Sequence, residues 1–102
     1  MGFPFAGRRE PWNIYWDYTY NTASGTCTAM AGPGVLGRIF INGGTMGIIT
    51  VTDNTAASGG AGTIASFTPS VTGQSFIFDI RCKVGCSVFA SAATSYTVTY
   101  MR

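Results

Sequence analysis

Short apolar-polar alternations recur along this chain, and Gly, Asn, Pro and Ser break them at nearly regular intervals. This pattern constrains the fold more than any other feature. In Gln74–Arg81, Phe76, Phe78 and Ile80 point one way and Ser75 and Asp79 the other. In Tyr96–Met101, Tyr96, Val98 and Tyr100 alternate with Thr97 and Thr99. A period of two residues belongs to strands, and no stripe of 3.6-residue period reaches useful length. Strands are further expected at 13–20, Cys27–Met30, Val35–Ile41, Gly47–Asp53, Thr63–Phe67 and Cys86–Phe89. About eight short strands with turn residues between them predict an all-β, antiparallel β-sandwich or jelly-roll-like domain.

The turns have their own chemistry. Asn42-Gly43-Gly44 tolerates positive φ and predicts a hairpin joining 35–41 to 47–53. Lys83-Val84-Gly85 predicts a second, joining 74–81 to 86–89. Asp53–Gly62 reads as a loop in which Asp53 and Asn54 bond their own backbone. Val35–Ile41 has Val35, Ile39 and Ile41 on one face and Leu36, Arg38 and Phe40 on the other, as expected for a strand covered on both sides.

The aromatic residues are unevenly placed. Phe3, Phe5, Trp12, Tyr15, Trp16, Tyr18 and Tyr20 are half of the 14 in the chain. Pro4, Gly7 and Pro11 exclude a helix at the start, so residues 1–12 read as an extended N-terminal arm and 13–102 as a single β-sandwich domain. Ile14, Trp16, Tyr18 and Tyr20 fall on one side of the first strand, which is expected to join the chain's own sandwich. Phe3, Phe5 and Trp12 are expected to reach a neighbouring subunit, the alternative being that they fold back on the chain's own sheet. Only 10% of the 102 residues are charged, against about 25% in an average soluble domain. So few charges suit a surface partly covered by other subunits. The residues expected to form an interface with other subunits are Phe3, Phe5, Arg8, Arg9, Trp12, Tyr15 and Trp16.

Much chemistry is missing. With no histidine, the commonest general base, the serine triad and the usual zinc sites are absent. Nothing in the spacing brings the four acids Glu10, Asp17, Asp53 and Asp79 together as a catalytic pair. Gly60-Ala61-Gly62-Thr63-Ile64-Ala65 imitates a dinucleotide fingerprint but lacks the strand–helix setting. Cys82 and Cys86 could face each other across a turn, yet three cysteines make neither a disulfide framework nor a metal site. No enzyme activity and no cofactor are expected. The six basic residues form no stripe for nucleic acid. No apolar run is long enough to span a membrane, and the first residues carry no signal-peptide pattern. The expected place of synthesis and folding is a cytoplasm.

Gly37-Arg38-Ile39-Phe40-Ile41-Asn42-Gly43-Gly44, the run from Ile49 through Asp53-Asn54-Thr55-Ala56-Ala57-Ser58-Gly59, Gly73–Phe76, Asp79–Arg81 and the closing Thr97-Val98-Thr99-Tyr100 are distinctive together. Over residues 34–102 they resemble small β domains in structural proteins of tailed bacteriophages. Cys82, Cys86 and Met101 depart from the usual pattern. The resemblance implies a virion protein without enzymatic activity, either a capsid decoration (cement) protein or a tail-associated one. A decoration protein would stabilise the head by bridging capsid subunits. Its partners would be the major capsid protein and sister copies, in a trimer or dimer. The alternative is a receptor- or glycan-binding module of a tail fibre or spike.

Overall fold

A computed structural model describes residues 16–55 and 62–102. The expected arm at 1–12, the strand start at 13–15 and the centre of the Asp53–Gly62 loop lie outside the described residues. The described chain forms eight strands: β1 (Asp17–Asn21), β2 (Gly25–Met30), β3 (Gly34–Gly44), β4 (Ile49–Thr52), β5 (Thr63–Phe67), β6 (Ser75–Cys82), β7 (Cys86–Ala90) and β8 (Thr94–Met101). Each expected strand is present, within a few residues of its expected ends. No helix occurs among the described residues.

The strands form two four-stranded sheets, ordered β1-β8-β3-β6 and β2-β7-β4-β5. Every pairing is antiparallel. Both sheets contribute to one hydrophobic cluster, a β-sandwich-like arrangement. Leu36, Ile39 and Ile41 of β3 and Tyr96 and Val98 of β8 meet Met30, Ile49, Val51 and Val88 of the other sheet. Phe67 on β5 and Phe76 on β6 close one flank, with ring centroids 4.1 Å apart. The buried Tyr96 hydroxyl accepts a hydrogen bond from Asn21 Nδ2 at 3.0 Å, and burial pushes its pKa up to about 12.

The connections correct the hairpin expectation. Neither Asn42-Gly43-Gly44 nor Lys83-Val84-Gly85 closes a hairpin, because β3 and β4, like β6 and β7, lie in opposite sheets. Among the described strands, β4 and β5 are the one pair adjacent in the chain that are also neighbours in a sheet. β3 has β8 on one side and β6 on the other, so its backbone groups are taken by strands distant in sequence. The chain leaves β3 through Gly44, whose φ of +78° is a region that favours glycine.

β3 also departs from simple alternation. Leu36 pairs with Tyr100 and Ile39 with Val98, so three steps along β3 match two along β8. The resulting bulge at Gly37 puts Leu36 on the same inward face as Ile39 and Ile41. Val35, Arg38 and Phe40 are left on the outer face. A matching irregularity in β6 sets Leu36 opposite Ile80 and Arg38 opposite Ile77, with Asp79 at φ +49°. Ile80, expected inward, is 41% exposed there.

Cys82 and Cys86 do meet across the β6–β7 turn, as buried free thiols. Burial raises both, Cys86 to about 12. Asp53 departs from expectation. Its carboxylate accepts backbone N–H bonds from Lys83 at 2.9 Å, Val84 at 2.8 Å and Gly85 at 3.3 Å, in the turn where the chain crosses from β6 in the other sheet to β7. Those bonds hold its pKa below the ordinary carboxylate range.

Candidate functional site

β1 carries its aromatic residues on the side away from the core. It pairs with β8 from Asp17↔Tyr100 to Asn21↔Tyr96 and so forms one edge of its sheet. Thr19 and Asn21 are half-buried, whereas Trp16, Tyr18 and Tyr20 are 45%, 70% and 57% exposed. The strand joins the sandwich as expected, but its rings do not enter the core. The reason is occupancy: on the inner side, Tyr96, Val98 and Tyr100 of β8 already fill the space beside β1.

The pairing continues these rings into rows across the outer face of the β1-β8-β3-β6 sheet. Tyr20 stands beside Thr97, then Phe40, then Ser75. Tyr18 stands beside Thr99, and the bulge then brings up Arg38 opposite Ile77, which is 61% exposed. In a third row Met101, Val35 and Arg81 follow one another, with Trp16 one residue beyond the end of β1 at the same level. The floor is held by side-chain hydrogen bonds. Arg38 N donates to Thr99 Oγ1 at 2.8 Å, and Asn42 Nδ2 donates to Thr97 Oγ1 at 2.8 Å. Tyr20 and Ser95 hydroxyls lie 2.9 Å apart.

Gly37 seats the Trp16 indole. A Cβ at Gly37 would stand 2.7 Å from Trp16 Cζ3, 3.1 Å from Cε3 and 2.7 Å from Thr99 Oγ1. The ring rests against the bare backbone of the bulge, and any other residue would displace it. Trp16, Gly37, Arg38, Phe40, Asp79 and Thr99 line a cleft of about 350 Å³. A second cleft of about 510 Å³ is lined by Pro33, Gly34, Val35, Arg81, Met101 and Arg102.

The outer face of the other sheet differs. Thr26, Thr28, Thr50, Ser66, Ser87 and Phe89 lie on it, and the hydroxyls of Thr28, Thr50, Ser66 and Ser87 are engaged locally. Thr50 and Ser66 hydroxyls are 3.3 Å apart. Thr28 Oγ1 donates to Thr55 O and Ser87 Oγ to Asn54 O, which folds residues 54–55 over that sheet.

Of the residues expected to form an interface, Trp16 is on the aromatic face; Phe3, Phe5, Arg8, Arg9, Trp12 and Tyr15 lie outside the described residues. Sequence reasoning did not single out Tyr18, Tyr20, Arg38, Phe40, Ile77, Arg81 or Met101 as surface partners. The alternation of Tyr18 and Tyr20 was visible, but its direction relative to the core was not. Among the described residues, no three His, Cys, Asp or Glu side chains are placed to hold a metal ion, and no helix is long and apolar enough to cross a membrane. Comparison with protein-family models, curated proteins and solved structures gives no match.

Proposed function

We propose that this chain is a non-enzymatic structural protein of a tailed-phage virion, a decoration protein that stabilises the head by bridging capsid subunits. It would be assembled in the host cytoplasm with the major capsid protein and sister copies, as a closed trimer or dimer. The observation that carries the reading is the composition of the outer β1-β8-β3-β6 face. Trp, Tyr, Met and Arg are the residues enriched in protein interfaces, and Lys and Glu are depleted there. Among the described residues this face holds Trp16, Tyr18, Tyr20, Met101, Arg38 and Arg81 and neither Lys nor Glu. At 45%, 70% and 57% exposure, three rings of ~150–250 Å² each offer roughly 350 Å². Burying that area is worth about 9 kcal/mol before the costs of association. It is nearly half of the ~800 Å² that one partner contributes to a standard interface.

The strand order supports the reading at the level of fold. Placing chain-adjacent strands in opposite sheets, as β1-β8-β3-β6 against β2-β7-β4-β5, is what two interlocked Greek keys produce. We take the fold as a jelly roll on that ground, an architecture shared by viral capsid and lectin domains. The β6 edge is interrupted by the bulge at Asp79, which discourages strand addition and leaves the face as the surface for docking.

The test is occupancy of purified heads lacking the protein. Tyr18→Ser with Tyr20→Ser, and separately deletion of residues 2–12, are expected to reduce bound copies per head with the circular dichroism spectrum unchanged. Full occupancy by both variants would remove the face and the arm as anchors.

The Trp16 cleft favours a second reading, a glycan-binding module of a tail fibre or spike. Asp79, Arg38 and Thr99 place polar groups around an exposed indole there, as a saccharide would require. A glycan-array signal abolished by Trp16→Ala would favour it over capsid decoration.

A further inference from the structure

We infer that the basic side of the aromatic face, from Arg38 to Arg81 and Arg102, seats an acidic, extended segment of the protein partner. The inference rests on the docking role proposed for this face and adds the chemistry of what docks.

Three guanidinium groups and one carboxylate meet here. Arg38 lies in the Trp16 cleft with Asp79, and Arg81 and Arg102 line the adjoining cleft. Asp17 pairs with Tyr100, on the opposite side of the β1 pleat from Trp16 and Tyr18. Asp53 is engaged by backbone N–H groups at the β6–β7 turn, two residues beyond Arg81, where Lys83 offsets its charge. Among the described residues, no side-chain hydrogen bond or ion pair engages Arg38, Arg81 or Arg102, and all three are exposed. Among the described residues that line the two clefts, three arginines stand against one carboxylate, Asp79, an excess of two positive charges. An arginine offers a planar fork that grips a carboxylate with two bonds, and such pairs give an interface specificity and rapid encounter.

The walls narrow the chemistry further. Trp16, Phe40, Val35 and Met101 make both clefts apolar between their charges. A polyphosphate has no apolar groups for those walls. A peptide with alternating acidic and apolar side chains matches both. The two clefts share strand β3, through Val35 in one and Arg38 in the other. An occupant crossing four strands spaced ~4.8 Å apart spans ~14 Å, or about five extended residues.

The experiment uses the full chain and a fluorescein-labelled peptide of alternating Glu and Leu, read by anisotropy. Controls are the same peptide with Lys for Glu, and heparin as an anionic polysaccharide. The Glu peptide is expected to bind and the Lys peptide not. Affinity should fall roughly tenfold between about 50 and about 300 mM salt. Arg38→Ala with Arg81→Ala should weaken binding at least about tenfold with an unchanged melting curve. Equal binding of the two peptides, binding that survives the double variant, or binding of heparin alone would overturn the inference. Head occupancy by the same double variant separates the two proposals. Arginine-independent occupancy with no peptide binding leaves the docking reading standing and removes the acidic segment. Arginine-dependent peptide binding with no head occupancy by the wild-type protein does the reverse.

Discussion

Removing the Asp53 carboxylate should loosen the contact between the two sheets at one end of the domain, and the loss should depend on pH. Asp53 follows β4 in one sheet, and its oxygens accept three backbone N–H groups from the turn between β6 and β7. Its own N–H donates to Gly62 O at 2.8 Å and closes the β4–β5 loop. In Asp53→Ala the two short bonds, at 2.8 and 2.9 Å, and the longer one at 3.3 Å are all lost. Hydrogen bonds to a charged acceptor contribute ~1.5–3 kcal/mol each, but water can replace part of them at an exposed turn. About 2 kcal/mol in total is a reasonable expectation, and in a domain of this size it lowers Tm by about 10 °C. The folded-state pKa of Asp53 is depressed by the same bonds. Its stabilisation is therefore complete above the unfolded-state pKa of about 4 and disappears as pH falls through the lower folded value. Melting curves followed by circular dichroism, for wild type and Asp53→Ala at about pH 7 and about pH 2, test this. The gap should be wide at neutral pH and should narrow in acid. A gap of the same size at both, or under about 2 °C at neutral pH, would refute the role given to the carboxylate.

Gly37→Ala should push the Trp16 ring off its seat. In a Trp12→Phe background, where Trp16 is the sole indole, its emission should shift to the red while the far-ultraviolet spectrum stays as in wild type. Leu36→Ala should destabilise by about 2–5 kcal/mol, because Leu36 is fully buried. Ile80→Ala, at 41% exposure, should lose less than about 1.5 kcal/mol by urea melting, and a reversed order would contradict the bulge register. Cys82 and Cys86, buried with raised pKa, should resist alkylation in the native protein and react fully in denaturant. Cys27 is only half-buried and should react before either of them.

Strand positions were legible because a period of two needs only local sequence, and Gly and Asn mark the breaks. Inward faces were legible where alternation is unbroken, as in Tyr96–Val98–Tyr100. They were misjudged where a bulge inserts a step, as at Gly37 and Asp79. A glycine or aspartate within a strand permits a bulge, but whether one forms depends on the register demanded by strands far away in the chain. Pairing was the least legible. Asn42-Gly43-Gly44 has the chemistry of a tight turn, yet the chain uses it to cross between sheets. Asp53 looked like the cap of its own turn and became the cap of one thirty positions on.

For the candidate site, composition alone pointed to the first twenty residues as the interacting part, and Trp16 belongs to the face now described. The rest of that face is assembled from β3, β6 and β8, whose contributions look unremarkable one strand at a time. From local residue chemistry, the sequence by itself determined an all-β chain of eight short strands and a concentration of rings at its start. Only the tertiary structure decided that Trp16, Tyr18 and Tyr20 face outward, since Tyr96, Val98 and Tyr100 fill the core side next to them. It alone brought Arg38 and Arg81 to that same surface, because β3 and β6, distant in the chain, pair side by side.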